Sequence, residues 1–200
     1  MATLGTAAAD TITGTSGNDT IFAGAGNDTV HGGAGNDVIG GGADNDRLAG
    51  GGGNDRINGD AGTDVLQGGA GRDSLAGGSG NDVIGGGTGD DAIIGGGGRD
   101  ILSGGVGADS FIYNAASDSG VGAGQRDIIL DFAHGLDKIG LRALHVTAAD
   151  IDLSHWYGGT SAGTAYAQLL RISTQHNGVY DMEIQLNGTH GAVTLDDILL

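Results

Sequence analysis

The chain has no cysteine, no proline, one tryptophan, one lysine (Lys138) and one glutamate (Glu183) among 200 residues. Without Cys there is no disulfide framework, no thiolate metal site and no thiol nucleophile. Without Pro, the 45 glycines cannot be read as collagen. No stretch approaches the roughly 18 consecutive apolar residues of a membrane-spanning helix. Cations are scarce too: eight basic residues face 25 acidic ones, a formal charge of −17, which argues against nucleic-acid or anionic-membrane partners. The segment Met1 to Gly14 lacks a basic start and an apolar run, so no cleavable signal peptide is expected. The near-absence of Glu matters most. The other 24 acids are Asp, a turn residue and compact oxygen ligand, and a long all-helical protein is thereby excluded.

What is present is a beat of nine. Asp stands at 10, 19, 28, 37, 46, 55, 64, 73, 82, 91, 100 and 109. Two residues after each comes a large apolar side chain: Ile12, Ile21, Val30, Ile39, Leu48, Ile57, Leu66, Leu75, Ile84, Ile93, Leu102 and Phe111. Seven of the twelve preceding turns read Gly-Gly-x-Gly-x-Asp, as in Gly32 to Asp37. Nine residues are two and a half helical turns, so this pattern cannot form one apolar helix face. A strand plus a turn fits. The triplet after each Asp, such as Thr29-Val30-His31, is expected to be the strand, with its central side chain inward. The glycines reverse the chain, because Gly tolerates positive φ. Two repeats make one 18-residue coil, and six coils would stack to about 29 Å.

One inward side chain per nine residues is a thin core. Stacking also places the Asp residues in two columns: 10, 28, 46, 64, 82 and 100, and 19, 37, 55, 73, 91 and 109. Carboxylates so stacked repel unless a hard cation lies between them, and calcium takes six to eight oxygens.

Residues 10–112 resemble the RTX-type calcium-binding nonapeptides. The resemblance implies an all-β fold, a right-handed parallel β-roll over residues 1–112 with an antiparallel β-rich cap over 113–200. It also implies the ligands of each ion, held between like-sided turns of successive coils. The lower turn offers its second and fourth carbonyls and its Asp; the upper turn offers its first and third carbonyls and its Asp. One site is then Gly33, Gly35 and Asp37 with Gly50, Gly52 and Asp55. Another is Gly78, Gly80 and Asp82 with Gly95, Gly97 and Asp100. The same rule names Gly69, Gly71, Asp73, Gly86, Thr88, Asp91, Gly104, Val106 and Asp109, and the carboxylates of Asp19, Asp28, Asp46 and Asp64 in the remaining turns. Six rungs per side leave five gaps, so the ceiling is ten calcium ions. The first turn, Gly5 to Asp10, has lost most of its glycines, and about nine ions are expected. Asp44 and Asp60 replace turn glycines, as added ligands or as decoration of looser turns. Asn18, Asn27, Asn36, Asn45, Asn54 and Asn81, each before an Asp, are expected to stabilise turns.

After Phe111 the beat is expected to stop. Arg126 to Ile139 resembles the stretch after the repeats in type I-secreted bacterial proteases, lipases and mannuronan C5-epimerase R-modules, where it forms capping strands. Alternation in Ala165–Ile172 and Asp181–Leu186 reads as antiparallel strands, with Asn187-Gly188 as a turn. The ending Asp196-Asp197-Ile198-Leu199-Leu200 reads as an export signal for type I secretion machinery, or simply as a last strand.

Catalysis finds little support. Gly159-Thr160-Ser161-Ala162-Gly163 matches a nucleophile elbow, followed by Asp181 and His190, but the elbow needs a parallel sheet and far more chain. No His-Glu-x-x-His occurs. The reading is a non-catalytic, secreted, extracellular bacterial module that folds on binding calcium. The alternative is a calcium-dependent carbohydrate-binding module for an acidic, alginate-like polysaccharide, using Trp156, Tyr157, Tyr166 and Tyr180.

Overall fold

The computed structural model describes residues 2–122, 124–157, 166–175, 178–188 and 193–200, with only the backbone described at 155–157 and 166–167. It is all-β, a parallel β-solenoid of about six turns with antiparallel strands at its C-terminal end. One sheet stacks Ala2–Leu4, Thr20–Ala25, Val38–Ala43, Arg56–Ala61, Ser74–Ser79, Ala92–Gly97, Ser110–Ile112, Lys138–Gly140 and Ile198–Leu199. The other stacks Thr11–Thr13, Thr29–Ala34, Arg47–Gly52, Val65–Ala70, Val83–Thr88, Ile101–Val106 and Asp127–Ile129, then Met182–Gly188, Tyr166–Ile172 and Ile151–Tyr157.

The register follows from the sequence beat. Each residue pairs with the one eighteen further on, as Val30 with Leu48 and Leu48 with Leu66. From Thr20 to Val106 the strands are six residues long, not the expected three, which only the terminal strands of the repeats keep. Pairing continues through the glycines, with Gly33 opposite Gly51 and Ala34 opposite Gly52. A glycine backbone can approach its neighbour closely, so the ladder needs no side chains to persist there. The reversal falls on two left-handed glycines per turn, such as Gly33 at φ +113° and Gly35 at φ +103°. Asp44 (φ 75°) and Asp60 (φ 71°) occupy such positions, and Asp is among the few residues that tolerate them.

From Ile21 to Phe111 the inward residue of every repeat is buried, and this row forms the core with Ile129, Ile139 and Ile198. Ile12 is only partly buried, because Thr11–Thr13 is the edge strand of its sheet. At the other end the roll runs on past residue 112. Ile128 and Ile129 pair in parallel with Ile101 and Leu102, and Ile139 pairs with Phe111. The antiparallel part is smaller than expected: it comprises Ile151–Tyr157, Tyr166–Ile172 and Met182–Gly188, and the last of these lies parallel to Asp127–Ile129.

Asn187 and Gly188 do not form a turn. Both lie within the strand, opposite Ala167 and Tyr166. Gly188 is required there because a Cβ would press on the Phe132 carbonyl oxygen. The chain end is a last strand: Ile198 and Leu199 pair with Ile139 and Gly140.

Candidate metal centre

The Asp columns are built by a repeated hydrogen bond. The Oδ1 atom of each Asp accepts the backbone N–H of the Asp one coil earlier, as Asp37 N–H to Asp55 Oδ1 and Asp64 N–H to Asp82 Oδ1, at 2.8 and 2.9 Å. Each carboxylate is thereby clamped between coils. The columns outrun the repeats: Asp100 N–H donates to Asp127 Oδ1 at 2.8 Å, and Asp109 N–H to Asp137 Oδ1 at 3.0 Å.

The other carboxylate oxygen is the unusual one. Oδ2 of Asp28, Asp37, Asp46, Asp55, Asp64, Asp73, Asp82, Asp91, Asp100, Asp109 and Asp127 is buried and, among the described residues, has no hydrogen-bond partner. An uncompensated buried anionic oxygen is costly. Eleven stacked in two columns demand a counter-charge. Burial, reinforced by the neighbouring carboxylates, pushes Asp46, Asp64 and Asp91 up to about 6 and Asp100 up to about 7. The hydrogen bond that each receives from the coil before opposes the rise without cancelling it.

Asp10 and Asp19 differ. Their Oδ2 atoms accept both the backbone N–H and the hydroxyl of Thr6 and of Thr15, at 2.6–2.8 Å. These bonds hold the Asp19 carboxyl below its usual range. The expected ligand Asp19 is therefore already satisfied by protein donors.

Backbone carbonyls face every gap from both sides. Third-position carbonyls point down: Gly52, Thr88, Gly97 and Val106 accept N–H bonds at 2.7–2.8 Å from Gly35, Gly71, Gly80 and Gly89 one coil below. Second- and fourth-position carbonyls point up, since a Cβ on Gly51 would press on Gly33 O and one on Gly53 on Gly35 O. First-position carbonyls converge on the carboxylate beneath. A Cβ on Gly59 would lie 2.5 Å from Asp64 Oδ2 and 2.5 Å from Gly77 O. Glycines 32, 68, 77 and 86 line the same cradle for Asp37 with Gly50, Asp73 with Gly86, Asp82 with Gly95, and Asp91 with Gly104.

These donors are all oxygens, anionic or carbonyl, which is the set that hard calcium prefers. Among the described residues no group of three or more His, Cys, Asp or Glu side chains is placed to hold a metal. Coordination here would rest on two carboxylates and the main chain.

The Asn residues form a ladder of opposite sense. Asn54 Oδ1 accepts the N–H of Arg72 one coil later at 2.8 Å, and Asn36 serves Asn54 in the same way. Asp44 Oδ2 accepts Gly26 N–H at 3.2 Å, and Asp60 accepts from the Asn58 amide. Asn54→Ala is expected to lower stability in calcium by about 0.5–1.5 kcal/mol, the usual worth of one such bond. Urea melts of the two proteins check this, and an unchanged midpoint would show that the ladder contributes nothing.

Three acids escaped the sequence reading. Asp127 and Asp137 top the columns, and each has an Ile two residues on; the eighteen-residue spacing misleads, because Asp127 is eighteen beyond Asp109 yet stands on Asp100, with Asp137 on Asp109. Asp131 accepts from Ser103 Oγ, Gly104 N–H and Gly105 N–H at 2.6–3.0 Å and closes the last repeat turn; no periodicity announces it. Of the catalytic trio, Ser161 and His190 lie outside the described residues, and Asp181 accepts from Thr174 N–H and Oγ1.

Fold and site together define a parallel β-roll whose turns present carboxylates and carbonyls to the gaps between coils. The profile of the RTX calcium-binding nonapeptide repeat (four copies) matches residues 4–39, 40–75, 59–92, 76–111 and 85–120. The chain belongs to this calcium-binding RTX family. Among solved structures it is similar to two subunits of the Azotobacter vinelandii mannuronan C5-epimerase. AlgE6R2 is 30% identical, with 81% of this chain and 91% of that one covered, at a TM-score of 0.43. AlgE6R3 is 24% identical, with 97% and 80% covered, at a TM-score of 0.38. No curated protein matches the chain.

Proposed function

We propose that this chain is a non-catalytic module that calcium folds outside the cell after type I secretion, there to stabilise or target an extracellular protein. The observation that carries the reading is the double column of buried carboxylates whose Oδ2 atoms find no donor among the described residues. The ligands are the Asp, Gly, Thr88 and Val106 positions named from the repeat, with the lowest rungs discounted because Thr6 and Thr15 already satisfy Asp10 and Asp19.

The chain's own residues supply the rest of the mechanism. The glycine turns bring carbonyls to each gap, and in the folded coils the Oδ1 clamps fix the orientation of the carboxylates. Bound calcium supplies the positive charge between them. With affinities of roughly 10⁻⁴–10⁻³ M, as in extracellular modules, cytosolic calcium leaves the chain unfolded and fit for a secretion channel. Outside, calcium binds only the native state and drives folding by linkage.

The chain end suits this order. In the folded protein Asp197 is buried, accepting from Gly135 N–H and Thr194 N–H and lying 2.6 Å from His134 Nδ1, while Ile198 is stacked on Ile139. Export machinery would read these residues only before folding.

A calcium titration followed by circular dichroism tests the proposal. Strand signal is expected to be largely absent in chelator and to grow to saturation as about eight ions bind between the repeat turns. A complete strand signal in chelator would overturn it. The polysaccharide reading has narrower support. Trp156, Tyr157 and Tyr166 have no described side-chain surroundings, and what remains is Tyr180, exposed, with the Arg171 guanidinium 5.8 Å from its ring.

A further inference from the structure

The two columns end differently. On one side Asp137 accepts from Asp109 N–H and, through Oδ2, from Ala133 N–H at 2.8 Å, so both its oxygens are satisfied. On the other side Asp127 is wholly buried, its Oδ1 takes Asp100 N–H, and its Oδ2 has no partner. The Asp100 Oδ2 below is likewise unpartnered. The hydroxyl of Tyr113, which is 1% exposed, makes no close hydrogen bond among the described residues, yet it lies near enough to Asp127 to act directly on that carboxylate and also feels the charge of Asp100. Asp118 adds a third negative charge nearby, its Oδ2 already accepting Asn114 N–H and Ala115 N–H.

In the repeat turns the unpartnered Oδ2 meets a first-position carbonyl from the coil above. Here no carbonyl comes as near: a Cβ on Gly95 would find its three nearest neighbours among the described residues all in Asp100. The buried Tyr113 oxygen lies beside these two carboxylates.

We propose that a further calcium ion sits between Asp100 and Asp127 against the Tyr113 hydroxyl, beyond the last repeat turn. It rests on the reading that the Asp columns below bind calcium. It differs from those sites by its phenolic oxygen, and this ion fastens the roll to the strands beyond it.

Terbium(III) is the probe. Tyr113 is the only Tyr or Trp before residue 156, so none of the repeat turns has such a residue of its own to sensitise a bound lanthanide. The intact chain loaded with terbium should emit on tyrosine excitation. Tyr113→Phe should fold in calcium and lose most of that emission. Asp127→Asn should lose it too and, by calorimetry, bind one calcium ion fewer per chain. If Asp127→Asn fails to fold, Tyr113→Phe decides alone. Undiminished emission from Tyr113→Phe, or an unchanged ion count in a folded Asp127→Asn, overturns the proposal while leaving the repeat sites standing. A wild-type chain that folds fully in chelator overturns both.

Discussion

Glu183→Gln is expected to destabilise the calcium-loaded protein by about 3–5 kcal/mol, the range for removing one partner of a buried ion pair. The only glutamate of the chain is 4% exposed. Its Oε2 accepts from Arg126 Nη1 at 3.1 Å and from Gly122 N–H at 2.9 Å, and its Oε1 accepts from Arg171 Nε at 2.9 Å. Burial works against its charge, but the Gly122 N–H and the two guanidinium groups outweigh it and hold the carboxyl below its usual range. A glutamine keeps the shape and leaves two arginines without their counter-charge. Arg171 lies opposite Glu183 across the antiparallel pair, whereas Arg126 and Gly122 belong to the turn that carries Asp127. The carboxylate thus ties the antiparallel strands to the top of the roll. Thermal melts in saturating calcium check this. For a chain of this size about 3–5 kcal/mol lowers Tm by roughly 6–20 °C. A drop corresponding to less than about 1 kcal/mol would mean that the arginines find other partners at no loss.

Acid is expected to act with opposite sign in chelator and in calcium. In the metal-free fold, burial first and neighbouring carboxylates second raise Asp46, Asp64 and Asp91 to about 6 and Asp100 to about 7, with Asp55, Asp73, Asp82 and Asp109 also raised, chiefly by burial. A carboxyl with a raised folded pKa favours folding when protonated. Its contribution is complete below the ordinary carboxylate range and is lost as pH rises through the folded value. In chelator, lowering the pH from about 7.5 to 5 should therefore restore strand signal, because protons neutralise the columns. In calcium the same step should weaken the fold, because ligating carboxylates must be ionised and protons compete with the ion. Circular dichroism at both pH values, with and without calcium, gives the four measurements. Acid that weakens the fold in both conditions would show that repulsion along the columns is not what calcium relieves.

Much of this arrangement is legible in the chain because it repeats. Asp64, Leu66 and the glycines before them specify one coil edge, and the beat of nine copies it with the same register throughout. Strand length was misjudged since Gly32 to Ala34 carry no strand-forming side chains; pairing with the coil above, Gly33 to Gly51, holds them extended. Asp127 and Asp137 keep the Asp-x-Ile spacing but lie beyond an irregular stretch, so the count of eighteen no longer assigns either to its column, and the Asp100 and Asp109 N–H groups do. Thr15 shows the converse. It looks like one more tolerated turn residue, and only its contact with Asp19 Oδ2 reveals a rung already satisfied.

By itself the sequence determined the β-roll, its inward apolar row and the two columns of carboxylates, because a translational repeat turns one local rule into the whole architecture. The tertiary structure alone decided where the columns stop, which oxygens lack a donor, and that the chain returns to add Ile198–Leu199 to the end of one sheet and to lay Met182–Gly188 beside Asp127–Ile129 in the other. Those features depend on single contacts between segments far apart in the chain, such as Ser119 with Glu183 and Tyr113 beside Asp127. Nothing periodic encodes them; they exist only once packing has brought the partners together.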